Sequence, residues 1–223
     1  RDLVRSRGLG DVYKRQGVTR ADIAKYIPYH NRLFHDSAAA GYAEVWDRND
    51  LDDAFYLSLS NSVGGAVIVA NKIFEGERRK SGEIGHMTII PKAGDRCYCG
   101  QRGCFDTVCR ANVLAEYADG DLEKFFELLE TKDLGARRHW SRYLEYLSIG
   151  IHNIRMLYDT KIVIGGYVGA YIEKYMEDLC ARVDARDSFK EKSERYLVPS
   201  KYKKEPTGVG AAIHMIDEFF EII

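Results

Sequence analysis

Between Ser81 and Asp106 the chain reads SGEIGHMTIIPKAGDRCYCGQRGCFD, which gathers His86, Cys97, Cys99 and Cys104 into nineteen residues. Three thiols and one imidazole form a donor set that tetrahedral zinc fills with protein ligands alone, leaving no position open for water. The spacing therefore predicts a structural zinc rather than a catalytic one. Gly94, Gly100 and Gly103 suit a chain wrapped around an ion, because tight turns there need backbone angles that glycine adopts at little cost. Unrelated buried thiols beside a core histidine are the alternative. A Cys-x-Cys pair alone leaves that alternative open; Cys104 and the upstream His86 argue against it.

A length of 223 residues allows one large domain or two small ones, and 45% hydrophobic residues are enough for a core. The formal charge of −1 gives no pull toward nucleic acid or an anionic membrane, and no apolar run approaches the length of a bilayer span. A cytoplasmic protein is expected, without a visible signal peptide and with no membrane partner. Cys109 and Cys180 lie outside the metal set and read as free thiols in a reducing compartment. The opening residues are unlike the rest. DVYKRQ at 11–16 resembles a translated sequencing adapter, so residues 1–16 are expected to be non-native, with an ordinary polar arm as the alternative.

From residue 17 onward the pattern is α/β. A helix opening at Thr19 is followed by an apolar strand at Arg32–Phe34, an acidic turn at His35–Asp36 and a helix of small residues. AFYLSL and GGAVIVA flank the Ser60-Asn61-Ser62 turn, and Ala70-Asn71-Lys72 makes a second turn, together a β-meander. Helices are predicted over 111–129 and 136–158. The second carries Trp140, Tyr143, Leu144, Leu147, Ile151, Ile154 and Leu157 at core-facing spacing. A strand at 161–164 runs into Gly165-Gly166, with a helix over 171–183 after it. Residues 182–204, where Asp184, Asp187, Glu191 and Glu194 offset the basic side chains, read as solvated surface. A helix over 208–220 closes the chain.

The run Gly82-Glu83-x-Gly85-His86 followed by Cys-x-Cys-Gly-x-x-Gly-Cys-x-Asp resembles the signature of the ROK family of repressors, open reading frames and sugar kinases. The resemblance implies an actin/hexokinase-like (ribonuclease H-like) two-lobed α/β fold that is truncated here. It implies a remnant of the N-terminal lobe over 17–46, a C-terminal lobe over 47–207 with the zinc loop at 81–106, and a closing helix over 208–223. It further implies that His35, Asp36, Glu83, His86 and Asp106 bind a sugar, His86 bridging metal and ligand. HDSAAAGYAE at 35–44 is similar to the family motif Asn-Asp-Ala-Asn-x-Ala-Ala. Asp36 stands at the position of the general base, which in a kinase accepts the proton of the attacking hydroxyl. Histidine and alanine replace the two asparagines at His35 and Ala38, and Asp106 is one methylene shorter than the usual glutamate. A simple helix cap is the alternative role of Asp36.

Kinases of the family resemble Gly-Thr-Gly-x-Gly-x-Gly at the phosphates, where this chain has Ser60, Asn61, Ser62, Val63, Gly64, Gly65 and Ala66. Side chains at Ser60 and Ser62 crowd a backbone cradle, with phosphate binding through their hydroxyls as the alternative, so ATP use is weakened rather than excluded. Gly165 and Gly166 resemble the adenosine-side turn, with a plain strand-to-helix turn as the alternative. Two readings stay open. In the favoured one the chain is the sugar-sensing, oligomerising part of a transcriptional repressor, a homodimer or higher homo-oligomer that contacts DNA only through an upstream domain absent here. In the other it is an ATP- and Mg-dependent hexose or amino-sugar kinase.

Overall fold

The computed structural model describes residues 12–13, 18–46, 48, 50–92, 94–186 and 189–221. Most of the leading segment expected to be foreign, and Asp187 of the charged stretch, lie outside the described residues. Val12–Tyr13 (β1) pairs antiparallel with Val18–Thr19 (β2), and helix α1 follows at Arg20–Ala24.

The apolar alternation of the central segment produces a five-stranded sheet. Ala54–Leu59 (β3, after helix α2 at Asp36–Trp46) and Val63–Val69 (β4) form a hairpin, extended by the short Lys72–Ile73 (β5). Between the zinc-loop sequence and the next strand come four helices: α3 (Asp106–Cys109), α4 (Asn112–Ala115), α5 (Leu122–Glu130) and α6 (Leu134–Tyr158). Strand β6 (Lys161–Gly165) then enters beside β3, and the remaining elements are α7 (Gly166–Gly169), α8 (Met176–Asp184), β7 (Leu197–Pro199) and α9 (Pro206–Glu221). The spatial order is β5-β4-β3-β6-β7, antiparallel across β5-β4-β3 and parallel across β3-β6-β7.

Because side chains alternate along a strand, the sheet has two apolar faces. Phe55, Leu57 and Leu59 point into the larger core with Leu144, Leu147, Ile151 and Ile154 of α6. Ala54 and Tyr56 point the other way, with Ala66, Ile68, Ala40 and Val45 under α2. Helix α9 covers α2 in turn and runs alongside it in the same direction. A Cβ on Gly210 would lie 1.7 Å from the Ala39 carbonyl oxygen, so only glycine allows this approach. Among the described residues no helix is long and apolar enough to cross a membrane.

Several expectations change. Thr19, expected to open the first helix, is the last residue of β2, and the helix runs only over Arg20–Ala24. Leu157, at the end of the stripe on α6, is 65% exposed, because the helix there has passed the edge of the core. The helix predicted over 111–129 breaks at Asp119 and Gly120, both at positive φ, and restarts where the Asp121 carboxylate caps α5 by accepting the Lys124 N–H. The helix predicted over 171–183 begins with a 3-10 turn at Ile172–Tyr175 and becomes α-helical only at Met176. The charged stretch 182–204 holds the edge strand β7, with Tyr196 and Leu197 buried in the larger core. Its local charge density masked the strand because only three residues carry it. Arg32–Phe34 is not a strand; Phe34 instead stacks on His214 of α9, with ring centroids 4.9 Å apart.

Candidate sugar and metal site

The site is assembled on the first residues of β4. The segment from Gly82 to His86, including a 3-10 turn at Ile84–His86, lies flat against that strand. A Cβ on Gly82 would fall 2.3 Å from the Gly65 carbonyl oxygen, and one on Gly85 would fall 2.1 Å from that of Val63. Gly82 also has φ +83°, a conformation costly for any residue with a side chain. These glycines set Glu83 and His86 beside the strand. From the other direction, a Cβ on Gly64 would lie 2.6 Å from the Ser37 hydroxyl, so the first turn of α2 abuts the same strand.

Asp106 meets β4 from within the protein. It is 1% exposed, and its Oδ1 accepts the Val63 N–H at 2.8 Å. The residue expected to touch a sugar is thus engaged with the hairpin backbone. Asp36, by contrast, has a side chain 71% exposed, with the His35 Nδ1 3.4 Å from its Oδ1. The same oxygen accepts the Ser37 N–H at 2.7 Å, which orients the carboxylate at the N-terminus of α2. Asp36 is the first residue of α2 and bonds only the adjacent backbone N–H, not those of the next turn that a helix cap serves, so its carboxylate stays accessible.

The four predicted metal ligands converge. The donor atoms of His86, Cys97, Cys99 and Cys104 all lie within 4.8 Å of one another. Cys97 Sγ is 3.6 Å from His86 Nδ1, and the Cys99 and Cys104 sulfurs are 3.7 Å apart. Ligands about 2.3 Å from a tetrahedral zinc are separated by about 3.8 Å, so both pairs fit the edges of such a polyhedron. Burial pushes the Cys104 thiol up to about 12, the adjacent thiols adding to the effect, and burial likewise raises Cys97. The His86 Nε2 points away from the sulfurs and lies 3.9 Å from the Glu83 carboxylate.

The predicted nucleotide-side residues are also drawn together. Ser60, Asn61 and Ser62 make the three-residue connection of the β3–β4 hairpin, Gly64 and Gly65 continue into β4, and Gly165 and Gly166 join β6 to α7. Gly166 has φ +81°, and a Cβ there would lie 2.7 Å from the Ser60 Oγ. The serine hydroxyl therefore occupies the space between hairpin and glycine turn. Beyond it opens a cleft of about 550 Å³ lined by Asn61, Glu116, Tyr167, Tyr171, Lys203 and Lys204, among others, a volume in the range of small-molecule pockets.

Pattern reading missed the tyrosines and lysines of that cleft. The two lysines sit in a segment held to α2 by the buried Glu44, whose carboxylate accepts the Ser200 hydroxyl and the N–H groups of Lys201 and Tyr202. A polar residue inside the otherwise small-residue face of α2 was the available signal.

A profile of the ROK family matches residues 19–218. The xylose repressor of Bacillus subtilis (strain 168) is 27% identical over 180 residues, which cover 77% of this chain and 46% of the repressor. The N-acetyl-D-glucosamine kinase of Vibrio vulnificus (strain YJ016) is 28% identical over 181 residues, covering 74% of this chain and 60% of the kinase. The chain thus spans about half the length of these curated relatives. Among solved structures, the ROK hexokinase from Thermus thermophilus superposes with a TM-score of 0.75 at 25% identity, covering 96% of this chain and 81% of that one.

Proposed function

This chain belongs to the ROK family and has its actin/hexokinase-like α/β fold, and from that premise we propose that it binds a sugar at Glu83, His86 and Asp36 as the effector-sensing part of a transcriptional regulator of carbohydrate metabolism. The observation that carries the sugar reading is the orientation of His86, with Nδ1 toward the thiols and Nε2 toward Glu83. Zinc held by His86, Cys97, Cys99 and Cys104 would supply rigidity and fix the ring's remaining proton on Nε2. His86 then donates while Glu83 accepts, which are the complementary roles that neighbouring sugar hydroxyls require. Asp36 adds an exposed acceptor and His35 a second ring at the edge of the site. Asp106 contributes from behind, by holding the hairpin through Val63.

The crowding of Ser60 against Gly166 favours the regulator, because a side chain there occupies space that a phosphate cradle leaves open. Pairing of two copies, DNA contact through a separate domain, and a cytoplasmic location belong to the same proposal. One observation favours the kinase as a second reading: the 550 Å³ cleft beside Asn61 and Tyr167 is large enough for a nucleoside. In that case ATP and Mg would lie along the cleft, and Asp36 would take the proton of the sugar hydroxyl as the phosphoryl group transfers.

Calorimetric titration of the zinc-loaded protein with aldohexoses and N-acetylhexosamines, paired with an ADP-release assay in ATP and Mg on the full-length gene product, separates the readings. Saturable sugar binding without turnover is expected. Sugar-dependent ADP release would establish the kinase instead, and absence of binding across the panel would overturn both.

A further inference from the structure

Helix α9 faces α2 at one-turn intervals. Thr207 Oγ1 donates to the Asp36 carbonyl at 3.4 Å, Gly210 touches Ala39, and the His214 ring stacks on Tyr42 with centroids 3.7 Å apart and planes 16° from parallel. Farther along, Asp217 accepts the Tyr42 hydroxyl and the Trp46 indole N–H. The same His214 ring stacks on Phe34 at 4.9 Å and 19°, and Arg32 pairs with Glu218 at 3.2 Å.

Phe34 and Tyr42 lie on opposite sides of Asp36 in sequence, one in an irregular segment and the other in α2. Residues 29–35 have no strand or helix of their own. The His35 carbonyl accepts the Ala39 N–H at 2.9 Å, which ties the end of this segment to α2; before it, side-chain contacts hold Arg32 and Phe34, and among the described residues His214 is the one ring that stacks on both flanks. Stacked aromatic pairs favour offset, near-parallel geometry and add to simple burial.

We propose that His214 is a positioning residue for the sugar site, its stack with Phe34 and Tyr42 fixing the backbone that presents His35 and Asp36. The inference rests on the sugar-binding reading above and adds a residue outside the family-like motifs. His214 touches no ligand in this arrangement; it acts through Phe34.

The test compares His214→Leu, which keeps an apolar side chain without a ring, with His214→Phe, which keeps the stack. Sugar dissociation constants are measured by calorimetry on zinc-loaded proteins, with amide hydrogen exchange followed over residues 33–38. His214→Leu is expected to weaken sugar binding about tenfold, with faster exchange at 33–38 and unchanged zinc content. His214→Phe is expected to restore affinity to within about twofold. Unchanged affinity and exchange in His214→Leu would overturn the proposal, as would a folded His214→Phe protein that remains as weak as His214→Leu. If the unaltered protein binds no sugar, the functional reading fails separately. The exchange rates at 33–38 then decide the positioning role by themselves.

Discussion

The Asp106 carboxylate and the Val63 N–H share a 2.8 Å hydrogen bond in a place almost closed to solvent. This bond fastens the end of the cysteine loop to the strand that carries the candidate site. A buried backbone N–H without an acceptor costs about 1–3 kcal/mol, and an aspartate reaches Val63 from the first turn of α3.

Replacing Asp106 by alanine is accordingly expected to lower stability by about 1–3 kcal/mol. Asp106→Asn keeps an acceptor oxygen and should lose less. Denaturant unfolding of the two variants checks the order; equal losses would contradict the hydrogen-bond account.

Purified protein is expected to carry about one equivalent of zinc, falling to none in Cys104→Ser or after chelation. Metal analysis by mass spectrometry reads this directly. Because the loop would wrap the ion, removal should also lower the thermal midpoint, and a chelator without effect on either quantity would refute the site.

Glu83→Gln removes the charged acceptor beside His86 while preserving shape. A hydrogen bond to a charged group contributes about 1.5–3 kcal/mol, so sugar affinity is expected to drop by at least about tenfold, with zinc content unchanged. Calorimetry of the variant against the sugar bound by the parent protein supplies the check.

Gly210 has no space for a side chain against Ala39. Gly210→Val is expected to destabilise the α2–α9 contact by about 1–3 kcal/mol or more through overpacking. Chemical denaturation measures it, and a variant as stable as the parent would show that the helices part without penalty.

Burial pushes the His214 imidazole below its ordinary 6.5, against the attraction of Asp217, with Arg32, Glu218 and Glu75 also bearing on it. The unfolded state then binds more protons than the folded state as pH falls below about 6.5, so this residue's contribution to stability declines on acidification. Relative to His214→Phe, the parent protein should lose thermal stability between pH 6.5 and 5. Parallel melting curves across that range would exclude the effect, because the two proteins share every other titrating group.

Much of the candidate site is legible in the motifs. Cys97, Cys99, Cys104 and His86 cluster because short loops with glycine at the turns can scarcely hold them apart, and β3, β4, β6 and α6 follow from period-2 and helical apolar spacing. What escaped were elements whose reasons are distant in sequence. Leu197 looked like part of a charged surface until β6 supplied its partner, and Phe34 looked like strand until His214 supplied a ring to stack on.

The sequence by itself determined the family to which the chain belongs and the Cys/His cluster of the cysteine loop, and it named the candidate residues for a sugar. Those depend on local spacing and on side-chain chemistry. Only the tertiary structure decided that Asp36 faces solvent while Asp106 turns inward to Val63, that Ser60 fills the gap at Gly166, and that α9 holds the approach to Asp36. Each is a matter of which distant backbone lies within a few ångströms, and chain packing fixes that where local preference does not.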